Sequence, residues 1–369
     1  MPQEYRILLL ADAASPHIQK WAVGLAQKGY VIGLFSLNTL SEKWFEQYEN
    51  IQVLYRPAHQ TNPRSIREKG KYIFALPALL KAIKTFNPHI LHAHYATSYG
   101  LLGALTGFSP YLLSVWGTDV FEFPKKSFLH KQLFKFNLHR ARHIFSTSHA
   151  MRNEILNYTH KTIEVIPFGV DINQFYPLPR EINTPKKTIH IGAIKSMEDQ
   201  YGIQTIIEAF SIIKKKTTSV DFILHLVGGG SRLKYYKDMV LKLKISESVI
   251  FTGIIPWTLI SDYHNRLDLF LNVSNVNESF GVSVLEAMAC GKPVIVTDAP
   301  GLKEIVNSKV GRIIPKDSTE ELVSAILALS DSPLLLKEMG IEARKHVLQN
   351  YSFNPCLESM SSKYIASIA

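Results

Sequence analysis

The 369-residue chain lacks the features that mark several classes of protein. Its two cysteines, Cys290 and Cys356, cannot build a disulfide framework or a four-cysteine zinc site. No apolar run approaches the roughly 20 residues that a membrane-spanning helix needs, and we expect no cleavable leader before the first strand-like segment. Charged residues make up 20% and apolar residues 46%, which excludes disorder and a coiled coil. These absences predict a cytoplasmic globular protein, and its length predicts two domains.

The net charge of +10 is concentrated in the first half of the chain. Residues 1–180 contain 20 Lys and Arg against 11 Asp and Glu, whereas residues 181–369 contain 21 against 20. A basic first half indicates contact with an acidic membrane surface, a phosphorylated substrate or nucleic acid. A charge that only improves solubility is the alternative. Because the sequence contains no nucleic-acid-reading module, we expect no nucleic-acid partner.

Short apolar runs alternate with longer amphipathic segments, the order expected of parallel sheets covered by helices. The alternation stops at the polar, proline-rich segment 176–187 and restarts with TIHIGAI at 188–194, which predicts a linker between two α/β domains. Ligands of such sheets bind beyond the carboxyl ends of the strands, so we expect a cleft between the domains to hold the site. The predicted limits are 1–180 for the first domain, 181–350 for the second, and 351–369 for a C-terminal helix that packs on the first.

The segment ESFGVSVLEAMACGKPVIVTDAPGLKEIV, residues 278–306, is the most informative part of the chain. Its apolar and small residues predict a buried helix over 279–290 that contains one carboxylate, Glu286. A buried carboxylate needs hydrogen-bond donors, either from the protein or from ligand hydroxyls. Glu278 stands eight positions earlier, and the amides of the first turn offer an anion site. Alternatively, Glu278 complements the helix dipole and Glu286 pairs with a buried Arg or Lys.

This segment resembles the signature of the family-4 retaining glycosyltransferases, E-x(7)-E. EVIPFGVDINQFYP (164–177) and DLFLNVSNVNESFG (268–281) are also similar to segments of that family. The resemblance implies the GT-B architecture, in which two Rossmann-like doubly wound domains face each other across a cleft. It further implies transfer of a sugar, with retention, from a UDP- or GDP-linked donor to a hydroxyl acceptor in cell-envelope polysaccharide or glycolipid synthesis. Neither a metal nor another cofactor is expected, and the chain contains no Asp-x-Asp pair.

The resemblance assigns the donor site residue by residue. Glu278 is expected to contact the donor sugar, and Glu286 to hold the ribose hydroxyls of the nucleotide. In the loop IGAIKSMEDQYG (191–202), Ala193 stands where the family usually has Arg, and Gln200 where it usually has Lys, so Lys195 receives the diphosphate contact. An ordinary exposed loop lysine is the alternative for Lys195. The predicted donor-binding set is Lys195, Glu278, Ser279, Phe280, Gly281, Val282 and Glu286.

The first domain supplies four further candidates. His92 and His94 alternate onto one side near the end of a strand, and Asp119 follows the next strand in WGTD. We expect His94 and Asp119 to act with Glu278 in catalysis, and His92 and His17 to bind the acceptor. Core packing is the alternative for the histidines, and a metal site would need further ligands. Trp116 occupies a position where similar family segments have His.

Residues 124–142 combine Phe128, Leu129, Leu133 and Phe136 with six Lys and Arg residues. The pattern predicts a basic amphipathic helix that lies on an anionic membrane, or else packs on the core with a solvated basic face. The first interpretation places the protein at the inner face of the membrane and favours an anionic or lipid-linked acceptor.

Two other functions remain open at this point. A sugar-nucleotide epimerase of the same architecture would be active without an acceptor. A catalytically silent nucleotide-sugar-binding protein would account for the altered loop at Ala193 and Gln200.

Overall fold

The computed structural model describes residues 4–40, 43–57, 71–179, 188–216 and 220–368. The chain forms two compact units, Met1–Phe168 with Asn354–Ala369, and Gly169–Phe353. Each unit has one parallel sheet with helices, which confirms the predicted α/β class with two doubly wound domains. The limits predicted at residues 180 and 350, and the functions assigned to the domains, stay predictions.

The sheet of the first unit has seven parallel strands in the order β3-β2-β1-β4-β5-β6-β7. Its central strands are buried because helices cover both faces of the sheet; Leu8 and Leu91, for example, are fully buried. β1 pairs with β2 on one side and β4 on the other, so the loops after these strands diverge there. The strands are β1 (Arg6–Leu10), β2 (Val31–Phe35), β3 (Ile51–Tyr55), β4 (Ile90–His94), β5 (Tyr111–Ser114), β6 (His143–Ser146) and β7 (Ile163–Val165).

The helices of the first unit include one from the end of the chain. In the C-terminal helix Phe353–Ile368, Glu358 pairs with Lys28, and the Tyr364 hydroxyl lies 2.6 Å from Nδ1 of His92. The described helices are Pro16–Gln27, Leu76–Phe86, Ser98–Leu105, Thr118–Phe121, Phe128–Arg140, His149–Ile155 and Phe353–Ile368.

The second unit has six parallel strands in the order β10-β9-β8-β11-β12-β13. The chain leaves β8 for β9 on one side and later returns to pair β11 on the other. This reversal separates the loops after β8 and β11, and such a point in an open sheet accommodates ligands. The strands are β8 (Thr188–Ile194), β9 (Asp221–Val227), β10 (Val249–Gly253), β11 (Leu269–Asn272), β12 (Val294–Thr297) and β13 (Gly311–Ile314).

The helices of the second unit cover its sheet and bury a hydrophobic core. Ile191 of β8 and Leu224 of β9 are fully buried in that core. The described helices are Ile203–Lys216, Leu233–Lys242, Ile260–Arg266, Val282–Ala289, Pro300–Ile305, Thr319–Ser330 and Pro333–Asn350. No helix in the described ranges is long and apolar enough to cross a membrane.

The predicted amphipathic segment 124–142 forms a short 3-10 turn, Phe123–Lys125, followed by the helix Phe128–Arg140. Phe134 and Leu138 of that helix are buried in the core of the first unit. Two of the four apolar residues in the predicted face lie outside the core: Phe128 is 77% exposed and Leu129 is 65% exposed.

Candidate active site

Loops that follow four strands of the second unit are joined by backbone hydrogen bonds. The Met197 amide, after β8, donates to the Gly229 carbonyl, after β9, at 2.9 Å. The Asn275 amide, after β11, donates to the Gln200 carbonyl at 2.9 Å. The carboxyl ends of β8, β9 and β11 therefore carry one connected group of loops, where an open parallel sheet binds ligands.

The loop after β12 completes this group through a glycine. The Gly301 amide donates to the Glu278 carbonyl at 2.9 Å. A Cβ on Gly301 would lie 2.3 Å from the carbonyl carbon of Ser279 and 2.6 Å from the Phe280 amide nitrogen. No side chain fits between these backbones, so glycine sets the position of the segment that carries Glu278.

The helix predicted from Ser279 begins at Val282 instead. Gly281 is its N-cap and has φ +83°, a left-handed conformation that turns the chain before the helix starts. Ser279 and Phe280 therefore lie in the loop, while the amides of Val282 and Ser283 have no acceptor one turn earlier in the helix. The sequence prediction missed Ser283 because it placed the first turn three residues too early.

Lys195 and Glu278 come from loops 83 residues apart and form an ion pair. Their side chains are 17% and 10% exposed, and the Lys195 ammonium lies 4.8 Å from the centre of the Tyr201 ring. The structure thus brings together two residues of the predicted donor site. Ala193, by contrast, is buried within β8. A diphosphate bound here would compete with Glu278 for the ammonium group.

Glu286 is buried inside its helix, with 8% of the residue exposed. Its Oε2 lies 3.7 Å from Nε2 of His264, a fully buried residue on the helix Ile260–Arg266. Nearby, the Lys292 ammonium donates to the Asn265 carbonyl at 3.1 Å. The sequence prediction missed His264, since no motif marks it.

The two histidines of β4 differ in their surroundings. His92 is fully buried and hydrogen-bonded to the Tyr364 hydroxyl at 2.6 Å and the Ser114 hydroxyl at 2.8 Å. The ring of His94 lies 4.2 Å from that of His92, and its Nε2 has no hydrogen-bond partner among the described residues. Burial lowers the pKa of His94 to about 3, so its ring is neutral near pH 7. The acceptor contact of His92 stays a prediction.

Asp119 is fully buried at the start of the helix Thr118–Phe121. Its carboxylate accepts hydrogen bonds from the backbone amides of Ala96 at 2.7 Å, Gly117 at 2.7 Å and Trp116 at 3.1 Å. Burial raises the pKa of Asp119, and these amides act in the opposite direction. The carboxylate therefore holds the loops after β4 and β5 together, and its part in catalysis stays a prediction.

His17 belongs to a cluster of aromatic rings in the first unit. It stacks on Phe168 at 4.7 Å between ring centres and lies edge-on to Trp116 at 6.1 Å. Trp116 in turn lies 5.7 Å from the ring of His94. The structure thus links His17 to His94 through Trp116, the residue that stands where a His was expected.

A cavity of about 300 Å³ opens beside this cluster in the first unit. His94 and Trp116 line it together with Asp12, Asn38 and Tyr95. The Asn38 amide donates to Asp12 Oδ2 at 2.8 Å. Aromatic faces beside a carboxylate and an amide suit a hydroxylated ligand. The sequence prediction missed Asp12, Asn38 and Tyr95, because they lie in loops without a motif. Among the residues described, no group of three or more His, Cys, Asp or Glu could hold a metal ion.

The buried His94 should make the protein sensitive to acid. The unfolded chain takes up a proton at this residue near pH 6.5, whereas the folded chain resists until about pH 3, so stability falls as the pH drops between these values. We expect the free energy of unfolding to fall between pH 7 and 5 by about 2 kcal/mol less in His94→Asn than in the wild type. Urea unfolding at both pH values measures this, with His160→Asn at an exposed position as the control. Equal losses in His94→Asn and the wild type would contradict the buried, neutral ring.

Two glycosyltransferase family descriptions match the chain. Residues 6–148 match the family described as "Glycosyl transferase 4-like", and residues 177–346 match "Glycosyl transferases group 1". The chain is 26% identical over 344 residues to N-acetyl-alpha-D-glucosaminyl L-malate synthase of Bacillus anthracis, covering 89% of this chain and 87% of that protein. It is 23% identical over 336 residues to alpha-monoglucosyldiacylglycerol synthase of Streptococcus pneumoniae, covering 83% and 74%.

Solved structures share the fold. The crystal structure of Anabaena Alr3699/HepE in complex with UDP-glucose superimposes with a TM-score of 0.78 at 18% identity, and the match covers 98% of this chain and 99% of that one.

Proposed function

Since the chain belongs to the GT-B glycosyltransferases, we propose that its second unit binds a nucleotide-diphosphate sugar and its first unit binds the hydroxyl acceptor. The observation that carries the donor assignment is the pair of Lys195 and Glu278 at the joined loop ends of the second sheet. The Lys195 ammonium and the amides of Val282 and Ser283 can bind a diphosphate. The Glu278 carboxylate can accept hydrogen bonds from sugar hydroxyls. The cavity lined by Asp12 and Trp116 is the proposed acceptor site.

The relatives support the choice of substrates. One relative is an alpha-monoglucosyldiacylglycerol synthase, and a structural neighbour was solved in complex with UDP-glucose. We infer that the donor is UDP- or GDP-linked and that the acceptor belongs to cell-envelope or glycolipid synthesis.

The proposed reaction replaces one bond to the anomeric carbon of the donor sugar by another. The bond from that carbon to the diphosphate oxygen breaks, and a bond to the acceptor oxygen forms on the same face, so the configuration is retained. The leaving phosphate takes the acceptor proton. Lys195 and the helix amides stabilise the negative charge that develops on the diphosphate, while Glu278 orients the sugar. Asp12 accepts a hydrogen bond from an acceptor hydroxyl.

The test is a donor screen that measures nucleotide release from UDP- and GDP-sugars with and without candidate hydroxyl acceptors, in excess EDTA. We expect release that depends on the acceptor, persists in EDTA and yields a product with the anomeric configuration of the donor. An epimerase would instead release nucleotide or convert the sugar without an acceptor. Activity that disappears in EDTA and returns with magnesium or manganese would contradict metal-independent transfer.

We also propose that the first unit docks on an anionic membrane through the helix Phe128–Arg140. Phe128 and Leu129 are exposed at its start, where the preceding turn carries Lys125 and Lys126. Exposed apolar side chains beside lysines fit the interface of an acidic bilayer, in which the apolar groups enter the headgroup region and ammonium groups meet lipid phosphates. This would place a lipid-linked acceptor, itself anionic or surrounded by anionic lipids, next to the enzyme at the inner face of the membrane.

Co-sedimentation with vesicles tests this surface. We expect binding to phosphatidylglycerol-containing vesicles but not to neutral ones, with a loss as salt rises, since each basic residue near the surface contributes about 1 kcal/mol. Replacing Lys125, Lys126, Lys131 and Lys135 by Gln should abolish most of the binding. The matched control replaces Lys234, Lys237, Lys242 and Lys244 of the second unit, which are equally exposed. Equal loss in both variants, or indifference to lipid charge, would favour a soluble acceptor.

A further inference from the structure

His264 is a buried histidine placed against the second signature glutamate. It lies on the helix Ile260–Arg266, is fully buried, and its Nε2 is 3.7 Å from Oε2 of Glu286. Neither of its ring nitrogens has a hydrogen-bond partner within the described part of the chain. A neutral imidazole always carries one N–H donor, and buried donors are nearly always paired. The nearby carboxylate is therefore the natural acceptor.

The surroundings of the ring keep it neutral. Phe175 and Phe270 lie 6.2 and 5.2 Å from it between ring centres. Burial lowers the pKa of His264, Glu286 acts in the opposite direction, and Lys292 lowers the pKa further. Near pH 7 the ring is therefore neutral, so it can offer an N–H to the carboxylate but is not its counter-ion.

We propose that His264 positions Glu286 for nucleotide binding: the Nε2–H of the ring donates to Oε2 and leaves the other carboxylate oxygen for the ribose hydroxyls. An approach of about 0.7 Å closes this hydrogen bond. The inference rests on the proposed function, in which Glu286 holds the ribose of the donor. His264 touches neither substrate nor the reacting atoms in this proposal, so it is a positioning residue.

Two substitutions separate this role from packing. In His264→Gln the side-chain amide reaches the position of Nε2, whereas in His264→Asn the shorter side chain places its amide near that of Nδ1. Both variants replace the ring by a buried polar amide, so their costs to the fold are similar. We expect His264→Gln to keep UDP affinity within about threefold of the wild type, and His264→Asn to lower it about tenfold or more, the value of one hydrogen bond to a charged group.

The kinetic expectation follows from the same geometry. Because the effect is on holding the nucleotide, the KM for the donor should rise in His264→Asn, while kcat at saturating donor stays near that of the wild type. If His264→Asn fails to fold, His264→Met serves as the variant without a donor.

A double-mutant cycle with Glu286→Gln decides between the roles. We expect Glu286→Gln alone to weaken UDP binding in titration calorimetry, and His264→Asn to cost less affinity in that background than in the wild type, because the hydrogen bond then goes to a neutral amide oxygen. Equal effects of His264→Asn in both backgrounds, or equal losses in the Asn and Gln variants, would overturn the proposal and leave His264 a packing residue. Unchanged UDP affinity in Glu286→Gln would overturn it while sparing the glycosyltransferase assignment. A wild-type chain that binds neither UDP nor GDP would overturn the proposed donor site, and this inference with it.

Discussion

Replacing Glu278 by glutamine is expected to lower kcat roughly 100- to 1,000-fold, the range seen when one preorganised polar group is removed from an active site. Glutamine is almost the same size as glutamate but carries no charge, so Lys195 loses its counter-ion and the donor sugar loses a charged acceptor. Steady-state transfer rates measure the effect. UDP affinity should change much less than kcat, because the proposed contact is with the sugar.

The matched control is Glu320→Gln, which removes the same charge from an exposed position of the second unit. It should retain the wild-type rate. If Glu278→Gln also retained that rate, Glu278 would serve only as the partner of Lys195. Lys195→Met would then show whether the lysine acts on the diphosphate without the glutamate.

The fold could be predicted from the sequence because its signal is local. A parallel strand buried on both faces is a short apolar run, and TIHIGAI was predicted as a strand over 188–194, the bounds that β8 has. The helix after Glu278 was also predicted, but its start was wrong by three residues. Gly281 was the signal that the prediction did not use, because glycine is unfavourable inside a helix and is accepted at an N-cap.

The candidate site could be predicted in part. The E-x(7)-E motif indicated Glu278 and Glu286. Lys195 was indicated because it is a basic residue in the loop 191–202. Their contacts could not be predicted, because the Lys195–Glu278 pair joins residues 83 positions apart and depends on how two loops pack. His264 gave no signal for the same reason. A lone histidine in a helix looks like any core residue until its distance to a carboxylate is known.

Asp119 illustrates a different difficulty. Its place after a strand indicated a site residue, and in the structure its carboxylate is fully buried and satisfied by three backbone amides. A short sequence pattern at the end of a strand is equally compatible with a carboxylate that shapes a loop and one that meets a ligand. Burial and hydrogen-bond partners separate the two roles, and they are properties of the folded chain.

A methyl group placed on Gly301 is expected to lower kcat about 100-fold without touching any proposed substrate contact. The added Cβ would lie 2.3 Å from the carbonyl carbon of Ser279, so the backbone that carries Glu278 must move. A displacement on the order of 1 Å at a reacting centre costs about this much. The rates of Gly301→Ala are compared with those of the wild type, and circular dichroism checks that the variant is folded.

Gly229→Ala is the control for this substitution, because it adds the same methyl group at the same edge of the sheet. The atoms that its Cβ would meet belong to the Ile254 side chain, which is 85% exposed and free to move aside, so the backbone need not shift. If Gly301→Ala is folded and as active as Gly229→Ala, the prediction is contradicted. The helix Pro300–Ile305 would then have shifted to make room for the methyl group, and the Glu278 segment would have stayed in place. A large loss confined to Gly301→Ala would instead show that catalysis depends on where the backbone holds Glu278, in addition to the charge of its side chain.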